Sequence, residues 1–427
     1  MTRALLLAVV LASAAPAARS AEIRLWHAMA GTQGIALEAL AARFNASQAA
    51  YRVVPVYKGG LVLPAALAEQ RKGSGPHLVQ VDDARTTELM AQPGSVRPLW
   101  EVMAAARQPI DLRFAPALAA QFSDAHGRLL ALPLSASTPV LYYNGDAFRR
   151  ARLDPAPSLR TWYEMANTLG ALIEAGAACG FTTSWPSWVL LENMSAWHNE
   201  PFAHEEGVAD ARLSFNSQLM VRWVAMLASW QKSGYFTYAG REDEAESRFA
   251  AGECAVLTSS SASYGGLQKR APFDVAVAPL PYYDDFSAAP QNTLVRGAGL
   301  WVMAGRAQKD YTGIARFIAF LTRTDVQAEW HQKTGYIPLT RIAYEVTRAQ
   351  GFYLKHRGHE VAVRQVLVKA PTKISGGMRL DELPRIRTII DEELESVWGG
   401  RKTALDSLNS AVARGNALLR TSGKLPQ

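Results

Sequence analysis

The chain has 427 residues, 45 lysines and arginines against 38 acidic residues, and two cysteines. Such a length exceeds what one hydrophobic core usually organises, so two lobes are expected. The formal charge of +7 is mild and its basic residues are scattered, which argues against the clustered cationic face that nucleic acid requires.

Residues 1–20 read as a secretory leader. Met1-Thr2-Arg3 gives a positive start, Ala4–Ala12 an apolar run, and Ala18-Arg19-Ser20 a small-x-small cleavage site, with the cut near residues 18–21. The apolar run is too short to stay as a membrane span. Loss of Arg3 and Arg19 brings the formal charge to +5. The expected location is the periplasm, an oxidising compartment, where Cys179 and Cys254 fit either a disulfide or two buried thiols.

After the leader, short β runs alternate with amphipathic helices, which predicts α/β layers. "EIRLWHAM", "QGIALEALAARFNASQ" and "YRVVPVYKGG" form a strand–helix–strand crossover. "LVQVDD" and "VLYYN" are further strands. Thr161-Trp162-Tyr163-Glu164 has the capping-box form and starts a helix running toward Gly176. Between 182 and 197 stand three of the 11 tryptophans. Trp185 and Trp188 bracket Pro186 on a strand-to-helix loop, and Trp197 falls in a helix and reads as core. Trp223 and Trp230, seven apart on a helix, read as core too. "YTGIARFIAFLTRTDVQAEWHQKTG" reads as one long helix closed by glycine, and the C-terminus is helical. The loop 279–292, with three prolines, is a candidate crossing between lobes.

The chain carries no Gly-x-Ser-x-Gly elbow, phosphate-cradling glycine loop or His-Glu-x-x-His motif. Asp82 and Asp83 are paired carboxylates that an exported hydrolase would use, and His356 with His359 reads as a solvated loop rather than a metal site. Polar residues cluster instead at strand ends, where open α/β sheets bind ligands. They are Ser135, Ser137 and Thr138, the hydroxyls of Thr258 to Ser261, Gly297, Tyr336 and Arg379. Hydroxyls, backbone donors and a guanidinium suit phosphate, with the two loop indoles covering an apolar skeleton.

In "LWHAM", "ARFNAS", "VVPVYKG", "STPVLYYN", "LENMSAW", "EWHQKTGYIPLT" and "IDEELESVWGG" the chain resembles the glycerol-phosphate-binding subgroup of the extracellular solute-binding proteins of ABC importers, a family that includes maltodextrin-binding proteins. The resemblance implies a two-lobe, hinge-connected periplasmic binding fold of the maltose-binding type, with one lobe from 21–140 and 283–325 and the other from 141–282 and 326–427. It implies a monomer that captures sn-glycerol 3-phosphate without chemistry or cofactor, then docks on permease subunits and their ATPases. Carried over position by position, Asp83, Ser137, Trp185, Trp188, Ser260, Gly297, Tyr336 and Arg379 bind ligand, Arg379 taking the phosphate. Leu61 stands where the family has a tyrosine, Asp83 where it has glutamate, and Arg296 where small residues are common. Loss of the phenol would cost ~1–3 kcal/mol if the gap stays dry. A glycerophosphodiester such as glycerophosphocholine fits the same elements, as choline sits well on indole faces. A neutral-sugar receptor is the further alternative.

Overall fold

The computed structural model describes residues 20–108, 110, 121–124, 126–204, 211–367, 369–377 and 380–422. The leader through residue 19 and Arg379 lie outside the described residues.

Two separate sheets organise the molecule. The first contains β1 (Ala21–His27), β2 (Tyr51–Tyr57), β3 (Leu78–Asp82) and the short β4 (Leu132–Pro133). The second contains β5 (Pro139–Asn144) and β6 (Cys179–Thr183), and a hairpin of β7 (Ala203–His204) with β8 (Arg212–Leu213) stands apart. β9 (Cys254–Ser260) and β10 (Val275–Ala278) return to the second sheet, and β11 (Ala298–Val302) to the first. The orders are β2-β1-β3-β11-β4 and β10-β5-β9-β6. β1 runs parallel to β2 and β3, whereas β11 is antiparallel to β3. In the second sheet β6 and β9 are parallel, with Cys179 opposite Cys254, and the two cysteines are joined by a disulfide.

Each sheet is buried on both faces, alternate strand residues entering different clusters of the core. Ile23 and Leu25 of β1 pack with Leu37, Leu40 and Phe44 from the helix Gly31–Ala46 and with Ile314 and Phe317 from the helix Gln308–Leu321. In the second lobe Phe181 of β6 meets Trp162, Trp223 and Trp230, and Trp162 lies 4.2 Å from Trp223 between ring centroids. Burial of each such side chain contributes roughly 1.5–3 kcal/mol. The three tryptophans expected in the core are buried there. The Trp197 Nε1 donates to the Leu280 carbonyl and the Trp223 Nε1 to the Leu190 carbonyl. Thr161 closes its capping box, accepting from the Glu164 N–H while the Glu164 carboxylate accepts from the Thr161 N–H.

The helix expected from 311 to 335 is two helices, Gln308–Leu321 and Thr324–Thr334. The Thr322 hydroxyl donates back to the Ala319 carbonyl, and Arg323 adopts an extended backbone that restarts the chain in a new direction. That turn lets Trp330 donate its Nε1 to the Leu134 carbonyl. The second of these helices packs on Gly31–Ala46, where Arg43 reaches Asp325 and Glu329.

Between the sheets the chain passes through paired segments. The Ser137 N–H donates to the Arg296 carbonyl and the Arg296 N–H to the Ser137 carbonyl, both at 2.8 Å. Thr138 donates to Leu294, and the Ile337 N–H to the Ala136 carbonyl. Residues 279–292 pack on the second lobe, with Tyr283 fully buried in its core.

Candidate functional site

The carboxyl ends of β1, β3, β6 and β9 open on one cleft between the sheets, about 1260 Å³ in volume. Ser137, Trp185, Trp188, Ser260, Gly297, Tyr336 and Arg296 all line it. These residues come from both lobes and from the segments between them.

Trp185 closes the turn after β6. Its φ of 53° lies in the left-handed region, unfavourable for a bulky residue by roughly 1–3 kcal/mol and frequent at functional sites. Its N–H donates to the Glu242 carbonyl at 2.9 Å, which helps hold the turn. The indole is half-buried. Trp188 is not on a loop: it belongs to a π-helical turn, Ser187–Glu192, that begins immediately after Pro186. Its ring is 2% exposed, so it forms the floor of the wall rather than a free plate. The Arg296 guanidinium stands over both rings, 5.2 Å from the Trp185 centroid and 6.0 Å from that of Trp188.

Arg296 is balanced by the turn after β3. It lies 3.4 Å from Asp82 and 3.8 Å from Asp83. Asp82 is the lining residue of the two; Asp83 sits behind it, its N–H donating to the Gly297 carbonyl. Burial, reinforced by the neighbouring Asp82 charge, pushes the Asp83 carboxyl up to about 8. Burial opposes ionisation of Asp82 too, but Arg296 and the other donors outweigh it and hold that carboxyl below its ordinary range.

Gly297 is required by backbone packing, since a Cβ there would lie 1.9 Å from the Ser135 carbonyl oxygen. Tyr336 follows Gly335, whose φ is 76°, and burial pushes its hydroxyl up to about 12. Ser260 caps the turn after β9, its hydroxyl accepting from the Ala262 N–H. Of the other hydroxyls proposed from sequence, Thr138 donates to Thr293, and Thr258 donates to Thr183 across β6 and β9; both are fully buried. Leu61 is 71% exposed on a short turn at the rim, between the lining residues Gly60 and Val62. His356 is exposed between two helices, as expected of a solvated segment, whereas His359 is not. Both flank the start of the helix Arg357–Val366 and line the cleft, and burial lowers His359 to about 4.

Sequence reasoning missed the helix Leu383–Trp398 as a cleft wall. Arg387 projects from it to Glu192 in a bidentate pair, Nε to Oε1 at 2.7 Å and an η-nitrogen to Oε2 at 2.8 Å. Asp391, one turn on, accepts from the Ser187 N–H and thereby ties this helix to the tryptophan turn. The available signal was charge at i and i+4 on the stripe that also holds the buried Leu383 and Leu394. Arg241, another lining residue missed, is clamped by Glu395 at 2.7 and 2.5 Å.

The model of the bacterial extracellular solute-binding protein family matches residues 39–350. The chain belongs to that family. It is 44% identical over 419 residues, 96% of this chain and 95% of the other, to the sn-glycerol-3-phosphate-binding periplasmic protein UgpB of Yersinia enterocolitica. Identity to the protein of that name from Salmonella paratyphi A is 44% over 424 residues, 98% of this chain and 97% of the other. Among solved structures, UgpB from Mycobacterium tuberculosis in complex with glycerophosphocholine superposes with a TM-score of 0.76 at 22% identity, covering 95% of this chain and all of that one. The cyclic α-maltosyl-1,6-maltose binding protein of Arthrobacter globiformis gives 0.73 at 20% identity, covering 94% of this chain and 100% of the other. The two-lobe binding fold expected from sequence is thus the fold of this solute-binding protein, and its location is periplasmic. It serves as the solute-binding subunit of an ABC importer.

Proposed function

We propose that this receptor captures sn-glycerol 3-phosphate in the cleft between its lobes and delivers it, as a monomer that does no chemistry, to permease subunits and their ATPases. The observation that carries this reading is near full-length identity of 42–44% to proteins named for that ligand. The cleft is suited to it: hydroxyls of Ser137, Ser260 and Tyr336 for the glycerol, the exposed part of the Trp185 indole for its carbon skeleton, and the turns at Asp83 and Gly297 as the frame. Its volume exceeds what a glycerol phosphate fills, so ligand favours a more closed hinge state by bridging the lobes.

Apart from the exposed Lys269, the described lysines and arginines lining the cleft already have acidic neighbours. Arg85 meets Glu88, Arg241 meets Glu395, Arg296 meets Asp82, Lys333 meets Glu329 and Arg387 meets Glu192. A phosphate competing with those carboxylates would gain little, which favours Arg379 as its fork-shaped partner. Calorimetric titration of Arg379→Ala tests this. Tight binding lost in a chain of unchanged melting temperature supports the proposal; affinity retained removes Arg379 from it.

A further inference from the structure

We infer that Arg296 is an internal specificity filter, occupying with its own guanidinium the cation-binding face of the Trp185–Trp188 wall and so excluding ligands with a quaternary ammonium group. The inference rests on the organophosphate reading above and refines it. Two indoles beside an aspartate make a good receptor for an organic cation: π faces attract it and Asp82 balances it. In this chain that receptor is filled. The guanidinium lies 5.2 Å from one ring centroid, 6.0 Å from the other, and 3.4 and 3.8 Å from the two aspartates.

The position is fixed by backbone, not chance. Arg296 exchanges two hydrogen bonds with Ser137, and Gly297 beside it is locked against Ser135 and Asp83. A side chain launched from this crossing can reach the rings without ordering a loop. It is 23% exposed, enough to face the cleft and too little to swing freely into solvent. A choline group entering here would have to displace a like charge and strand Asp82. A phosphomonoester carries no cation and meets no such conflict.

The test uses the purified mature protein, its Arg296→Gln variant, which removes the charge but keeps a polar side chain, and its Arg296→Lys variant, which keeps the charge. Titration calorimetry with glycerol 3-phosphate and glycerophosphocholine reads the affinity ratio. The glutamine variant is expected to shift that ratio toward the choline diester by about tenfold, with lysine near wild type. A ratio unchanged by glutamine overturns the filter while leaving the organophosphate reading intact. If neither ligand binds any form, that reading fails, and choline chloride alone still tests the filter. Choline should leave wild-type tryptophan fluorescence unchanged even at high concentration; saturable quenching of the wild type by choline overturns the inference. This last arm needs no variant and so stands even if the glutamine substitution unfolds the chain.

Discussion

The Arg387–Glu192 pair offers the sharpest energetic prediction. Glu192 is 4% and Arg387 11% exposed in their side chains, and both Glu192 oxygens are engaged. Replacing Arg387 with methionine fills a similar volume but strands a buried carboxylate among apolar neighbours such as Leu190 and Leu191. Breaking one side of such a pair costs about 3–5 kcal/mol, because the remaining charge is desolvated without compensation. Replacing both partners, Arg387→Met with Glu192→Leu, removes that penalty and returns stability to within about 1–2 kcal/mol of wild type, since a pair's own net contribution is small. Urea unfolding followed by circular dichroism at neutral pH measures all four corners of the cycle, and the coupling energy should exceed about 2 kcal/mol. A single variant within about 0.5 kcal/mol of wild type would refute the reasoning, as would a double variant no better than the single.

Other consequences are measurable with the same protein. The disulfide closes a span of 75 residues, so Cys254→Ala or reduction should lower stability by about 4 kcal/mol in the chain-entropy account; thermal melts with and without reductant check it. Trp188→Ala should cost about 3–5 kcal/mol because the ring is buried, whereas Trp185→Ala should cost far less and chiefly lose ligand binding; melting and titration run in parallel separate the two effects. Burial raises Asp391 to about 7 and, with the Asp82 charge, Asp83 to about 8. Carboxyls raised on folding hold protons longer in the folded chain, so their contribution is fully present below about pH 4 and is lost as pH rises through 7 to 8. Asp83→Asn should flatten stability against pH across that window; an unchanged slope in urea midpoints from pH 5 to 8 would contradict the assignment.

Much of the scaffold was legible because it is written locally. The Thr161 capping box needs only four residues, and the burial of Trp223 and Trp230 follows from two helical turns. The cleft hydroxyls were legible as a class, since Ser137 and Ser260 sit where strands end, but the fully bonded Thr138 and Thr258 carry the same local signature. What failed depended on distance in sequence. Arg387 and Glu192 lie 195 residues apart, and a charged i, i+4 stripe near the C-terminus looks in isolation like any solvated helix face. The break at Thr322 and the helix carrying His359 were hidden likewise, because tertiary contacts decide between nearly equal local conformations. Arg296 was visible as a departure from the family pattern. Only the folded chain brings it over the tryptophans.

The most direct measurement is calorimetric titration of the mature protein with glycerol 3-phosphate, glycerophosphocholine and maltose in parallel. A saturable heat with glycerol 3-phosphate, a weaker one with the choline diester and none with maltose is the expected result. Binding of maltose with no response to either phosphate would contradict the account.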